Sequence, residues 1–372
     1  MNKNFSLYLD LIRFLAAVAV LLLHLSDLLF NSNFRIFNMG HEAVVIFFVL
    51  SGYVISYSVK VKDYSCKEYF VARFSRIYSV VIPALFLTII LDVIGTSICR
   101  DCYQDMYVAL DYPVIRFLAS ITFTGELWFI SILSFSNIPF WSIHYEVFFY
   151  VFFGAMLYAH KKYKLALLAL LLLIAGPKIA ILLPLWLLGA FLYRPDNYIK
   201  STVFNLLIWL LTFFLLLALL ANDGKSLITG YGNDFLYGVL GLSKSLNLAA
   251  SKYFIFDYFF GVIFALNLII SKSLIEKIKF DFDDTKLGTI VRYLANRTFS
   301  IYLFHFPLIG FYNAILPHSM SGVLRWTSII ILTVVSIFIL SNYTEQKKHI
   351  YSKWLRIGLN KLSTLSNNRQ PS

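Results

Sequence analysis

The sequence predicts an all-α, polytopic integral membrane protein with about ten transmembrane helices and cytoplasmic N- and C-termini. Three observations predict it. First, the 372 residues are 59% hydrophobic and only 14% charged, where a soluble domain averages roughly 45–50% apolar and about 25% charged. Second, the mean hydropathy is +0.74, and the apolar residues fall in long continuous runs, not the alternating pattern of an outer-membrane barrel. Third, the basic residues collect between those runs. A soluble globular protein and a disordered chain are both excluded, the latter because it would need the opposite composition.

Crossing a hydrocarbon core of about 30 Å takes about 20 apolar residues. In order, the spans read as 7–29, 41–58, 77–98, 142–160, 164–176, 178–193, 203–221, 254–271, 298–316 and 324–344. The first is a retained helix, because Arg13 and His24 interrupt it and no small-residue cleavage site follows, as a secretory signal would require. Gly176-Pro177 separates two short runs, which form either a tight helical hairpin or one broken helix. Segment 113–133 is apolar but carries Arg116 and Glu126, and reads as interfacial or re-entrant.

With the N-terminus inside, 23 basic residues fall on the cytoplasmic side and 8, namely Arg35, Arg100, Arg116, Lys178, Lys225, Lys244, Lys252 and Arg325, on the other. Arg13 lies within the first helix, and the excess obeys the positive-inside rule. The net charge of +12 is therefore a topology signal and not a nucleic-acid face. Residues 1–362 form one membrane domain, and 363–372 is a polar, disordered tail. Among three cysteines, Cys99 and Cys102 suit a local disulfide in an outside loop better than a metal site, which would want four ligands.

An ionisable group inside a span is costly unless it faces a partner or water. At 100° and 1.5 Å per residue, the eleven positions from Arg13 to His24 bring both to one face, about 16 Å apart. Asp10, three residues before Arg13, shares that face and can pair with the guanidinium. The choice is between a snorkelling arginine with a core histidine and a polar track whose His24 acts as a base near neutral pH.

Ser142 and Glu146 share a face of the fourth span, beside Trp141, so Glu146 either caps an aromatic belt or points into a cavity. Ser51-Gly52 reads mainly as close helix packing. Arg73 and Arg76, one turn apart, either clamp phosphates or anchor the cytoplasmic face. Tyr302 and His305 share a face of the ninth span, where His305 is either a satisfied core group or part of the cavity that holds His24.

Five elements together resemble the membrane-bound acyltransferase-3 family. They are Leu9-Asp10-Leu11-Ile12-Arg13 with His24, Phe47-Phe48-Val49-Leu50-Ser51-Gly52-Tyr53, Arg73-Phe74-Ser75-Arg76-Ile77, Trp141-Ser142-Ile143-His144-Tyr145-Glu146, and Ser300-Ile301-Tyr302-Leu303-Phe304-His305. His144 departs from the family, which has serine there. The resemblance implies a ten-helix domain in the bacterial inner membrane. It would transfer an acyl group, most commonly acetyl, from cytoplasmic acyl-CoA to a sugar hydroxyl of an envelope polysaccharide such as O-antigen or exopolysaccharide, or of a lipid-linked saccharide. Acyl-CoA is then a substrate; no permanently bound cofactor and no metal is expected, and the partners are the donor, the acceptor and membrane lipids. The catalytic residues would be His24, Arg13, Glu146 and Asp10. His24 takes the hydroxyl proton or carries the acyl group, Glu146 orients a histidine or assists proton transfer, and Arg13 positions the donor or stabilises the oxyanion. Arg73, Arg76, Tyr302 and His305 would bind the donor, and Ser142 and Trp141 the substrate. The competing function is a transporter or flippase for a lipid-linked saccharide, since carriers also use intramembrane Arg, His and Glu.

Overall fold

The computed structural model describes residues 2–30, 39–103, 110–193, 201–221, 224–238 and 247–367. Among them every regular element is helical. In chain order these are α1 (Lys3–Phe30), α2 (Gly40–Lys62), α3 (Cys66–Ile98), α4 (Pro113–Ile121), α5 (Trp141–Tyr158), α6 (Lys161–Ala175), α7 (Pro177–Leu192), α8 (Thr202–Ala221), α9 (Gly224–Gly238), α10 (Phe254–Ile275), α11 (Lys286–Ala295), α12 (Thr298–Ile315), α13 (Gly322–Tyr343) and α14 (Lys348–Asn367). Each of the ten expected spans falls on a helix. Seven segments of the described residues, built on α1, α2, α3, α5, α8, α10 and α13, are long and apolar enough to cross a membrane. Helices α6, α7 and α12 fall short in length or apolarity.

Local chemistry sets the boundaries. Ser65 accepts from the Glu68 amide while the Glu68 carboxylate accepts from the Ser65 amide, a capping box that starts α3. Gly176 turns between α6 and α7 at φ +76°, packed on the Trp128 backbone where a Cβ would collide. Pro177 then opens α7 without an amide to satisfy. Helices α2 and α7 touch backbone to backbone: a Cβ on Gly52 would strike the Trp186 carbonyl, and one on Gly189 the Val49 carbonyl.

The loops the sequence puts on one side meet at one end of the bundle. Lys3 pairs with Asp281 at 3.2 Å, and that hydrogen bond holds the Asp281 carboxyl below its ordinary value. Asn4 donates to the Phe280 carbonyl at 2.7 Å, Lys277 to Thr202 at 2.8 Å, and Tyr158 to the Tyr64 carbonyl at 2.6 Å. The opposite end holds the Cys99–Cys102 disulfide, beside which His318 Nε2 lies 3.4 Å from Cys102 Sγ.

Two expectations change. Lys178, counted with the cations of the non-cytoplasmic side, is not at the surface: it is fully buried, pairs with Glu126 at 2.5 Å and donates to Ser131 at 2.9 Å. The low dielectric around it makes pairing obligatory. This pair pins residues 122–137, an irregular stretch after the nine-residue α4, to the start of α7. The expected tail from Ser363 continues as helix to Asn367, since Lys348–Asn367 is one amphipathic run. Arg35, Arg194, Lys200, Lys244 and Arg369 of the charge count lie outside the described residues.

Candidate active site

Helix α1 carries its two expected functional residues into two adjoining cavities. The inner one, about 60 Å³, is lined by Arg13, Ser51, Arg76, Ser142, Glu146 and Tyr302 among others. The outer one, about 270 Å³, is lined by His24, His41, Trp141, Lys252, Tyr253 and Tyr302 among others. Val44 and Tyr302 belong to both walls. The spacing from Arg13 to His24 thus marks the line along which the cavities follow each other.

Tyr302 stands between them because α12 presses it against the start of α5. Its hydroxyl donates to the Pro139 carbonyl at 3.0 Å and lies 2.7 Å from Ser142 Oγ. These two bonds hold the ring as a partition.

In the inner cavity, Ser51 Oγ donates to Glu146 Oε1 at 2.8 Å, and the Tyr150 hydroxyl donates to the same oxygen. Arg13 and Arg76 line the same space, so two guanidiniums face one carboxylate there. A volume of about 60 Å³ accommodates only about four waters, at 10–15 Å³ each. A thioester or a slender chain fits; a nucleotide does not.

In the outer cavity the chemistry is that of imidazoles and aromatic rings, with the Lys252 ammonium on its wall. His24 stacks on His305 with ring centroids 5.3 Å apart and meets the edge of Phe306 at 4.9 Å. His305 is fully buried; its Nδ1–H donates to the Ile301 carbonyl at 2.9 Å, and its Nε2 has no hydrogen-bond partner among the described residues.

Four expected placements differ. Glu146 orients no histidine: its partners are the Ser51 and Tyr150 hydroxyls, because α5 aims it at α2 in the inner cavity. Asp10 does touch Arg13 at 3.3 Å, but its other oxygen is held by Arg292 at 2.5 Å. Arg292 in turn binds Asp283 at 2.8 Å, so Asp10 ties α1 to α11 and lines neither cavity. Arg73 lines neither as well; it is buried and donates to Ser58 at 3.4 Å. His305 packs against His24, the neighbour that one reading of its helix face offered it. Trp141 and Ser142 separate, the first to the outer cavity and the second to the inner. His144 is buried beside Phe140 and Phe123, apart from both linings.

Sequence reasoning passed over Ser51, Tyr150 and His41. Tyr150 lies one turn beyond Glu146, a spacing that puts its hydroxyl within reach. Ser51 was legible only as packing, a role its neighbour Gly52 does fill.

Comparison with known proteins bears on what such a site does. A family model described as an acyltransferase domain, acyltransferase-3, matches residues 6–342. No curated protein and no solved structure matches the chain.

Proposed function

Because the chain belongs to the acyltransferase-3 family, we propose that this membrane O-acyltransferase takes its acyl group from acyl-CoA and delivers it to a sugar hydroxyl. The acyl group is acetyl, and the acceptor is a bacterial envelope polysaccharide such as O-antigen or exopolysaccharide. The protein sits in the inner membrane, where α6, α7 and α12 complete ten crossings with both termini cytoplasmic.

What supports this reading is one observation: Arg13 and His24, on one face of α1, line two adjoining cavities that share Tyr302. A thioester from one side and a hydroxyl from the other must meet inside the protein, and two cavities that share a wall bring them to within one side chain, Tyr302, of each other. Arg76 and Arg13 hold the donor, whose acyl thioester enters by the inner cavity while the rest of the coenzyme stays at the mouth. In the outer cavity the hydroxyl oxygen attacks the acyl carbonyl carbon as His24 takes its proton. The carbon–oxygen bond forms, the carbon–sulfur bond breaks, and the thiolate leaves and regains a proton. Arg13 is a donor-positioning group here and not an oxyanion partner. Its position about 16 Å from His24 along the helix exceeds the reach of both side chains to one tetrahedral carbon.

General-base catalysis contributes about 10²–10⁴-fold. His24→Ala should therefore lose transfer by that factor while the protein accumulates normally in membranes. Mass spectrometry of envelope polysaccharide from cells with the wild-type chain, with His24→Ala and without the chain tests this. Loss of the acetyl increment on an otherwise intact glycan is expected. Loss of the whole glycan would instead mark a carrier, and full acetylation by His24→Ala would overturn the assignment.

A further inference from the structure

The outer cavity holds a second histidine that the proposed reaction does not use. His41 stands on the first turn of α2, and its Nε2 lies 2.7 Å from Asp257 Oδ1. Asp257 comes from α10, 216 positions away in sequence, and is fully buried. Its other carboxylate oxygen has no hydrogen-bond partner among the described residues. His41 keeps a solvent-facing edge, with 14% of its side chain exposed, and that edge opens on the cavity.

A carboxylate that accepts from one imidazole nitrogen fixes the tautomer. With Nε2–H committed to Asp257, Nδ1 carries a lone pair and can accept a hydrogen bond. His24 is built differently: its neighbours are the rings of His305 and Phe306, and among the described residues it has no carboxylate partner. The two imidazoles of one cavity therefore have different support, one oriented by a buried anion and one stacked.

Around His41 the wall is aromatic with one ammonium. The Trp141 ring lies within 15° of parallel to it at 6.5 Å, and Tyr253 meets it edge-on at 5.0 Å. Lys252 sits over Tyr253 at 4.9 Å and lines the same space. Glu42, the next residue of α2, is neutralised by Lys225 at 3.3 Å. Aromatic faces with a few convergent donors and acceptors are what a compact polyhydroxylated ring needs: apolar C–H faces against the rings, hydroxyls toward Nδ1 and Nζ.

We propose that His41, oriented by Asp257, is the acceptor-positioning residue of the outer cavity, where its Nδ1 accepts a hydrogen bond from one sugar hydroxyl so that another is presented to His24. This rests on the acyl-transfer reading above and adds to it a residue pair and a sugar-binding wall. His41 moves no proton in the transfer itself.

A hydrogen bond of this kind is worth about 1 kcal/mol, or about fivefold in affinity, and more where its loss leaves Nε2–Asp257 disordered. The test uses the full chain in nanodiscs with labelled acetyl-CoA and glycan purified from cells lacking the protein. His41→Phe keeps ring packing but removes both nitrogens; Asp257→Asn keeps shape but removes the charge. His41→Phe should raise the acceptor KM about five- to tenfold, with the donor KM unchanged and kcat within about twofold; Asp257→Asn should move the same constant less. A parallel titration of the donor-free protein with methyl glycosides of common hexoses, followed by saturation-transfer NMR, reads binding without turnover. Binding by wild type but not by His41→Phe upholds the inference even if acetyl-CoA proves the wrong donor. An unchanged acceptor KM together with unchanged glycoside binding in His41→Phe overturns it. So does a fall in kcat with both KM values, which marks a structural role.

Discussion

The two cavities along α1 differ in the kind of polarity they hold. The inner one sets fixed charges, Arg13 and Arg76 against Glu146, in a space of about 60 Å³. The outer one, about 270 Å³, sets imidazoles and aromatic rings, with Asp257 hidden behind His41. Permanent charge in a narrow cavity is selective, which suits a polyanionic donor arriving from one direction. Rings with a single ammonium, that of Lys252, in a roomier pocket discriminate by shape and hydrogen-bond geometry, which suits a carbohydrate. One helix serves both because a polar face three turns long spans the change.

If that division is correct, the largest effect of a cavity substitution falls on one substrate only. Arg76→Ala removes a guanidinium from the inner cavity. A charge-assisted hydrogen bond of about 1.5–3 kcal/mol corresponds to about 10- to 100-fold. Steady-state kinetics in membranes should show the donor KM raised by that factor and the acceptor KM unmoved. A shift of both constants would break the comparison. Arg76→Lys should recover only part, since an ammonium lacks the planar fork.

The partition comes next. Tyr302→Phe deletes the bonds to the Pro139 carbonyl and Ser142 while keeping the ring. The buried Pro139 carbonyl retains the longer contact from Ser142 Oγ at 3.4 Å, which limits the cost to about 1 kcal/mol. Kcat should fall about fivefold with both KM values preserved, because the ring is no longer held where the two substrates meet. A change confined to either KM would assign Tyr302 to that cavity alone.

How much of this was legible depends on how far apart the partners lie. The shared face of Asp10, Arg13 and His24 follows from helical periodicity, since all three ride on one helix. The disulfide was legible from two cysteines three residues apart, and the spans from hydropathy. Partnerships across elements were not. Glu146 finds Ser51 95 positions away, Asp10 finds Arg292 282 positions away, and His41 finds Asp257. No periodicity links such pairs; only the packing of α5 and α10 on α2, and of α11 on α1, does. The Glu126–Lys178 pair was hidden for the same reason: Glu126 reads as a charge in an interfacial or re-entrant segment and Lys178 as a topology cation, and only the fold shows that they bury each other. Glu146 lines a cavity, one of the two placements its span left open, but a span cannot reveal whether its partner there is an imidazole or a hydroxyl.

The smallest effect sharpens the comparison most. Ser51 Oγ is one of two hydroxyls donating to Glu146 Oε1; Tyr150 is the other. In a dry core, losing a donor to a carboxylate would cost several kcal/mol. The inner cavity is lined by Arg13 and Arg76 and has room for a few waters, so in Ser51→Ala a water replaces the hydroxyl at little cost. Donor KM and kcat should each change by no more than about twofold. Tyr150→Phe, which removes a donor anchored on a buried ring, should cost more than Ser51→Ala. Near-wild-type turnover in Ser51→Ala means a wet inner cavity, in which charges are held by solvent as much as by protein. A tenfold loss in Ser51→Ala with normal amounts of protein would mean that the space is dry, and that the contrast between the cavities lies in hydration and not only in charge.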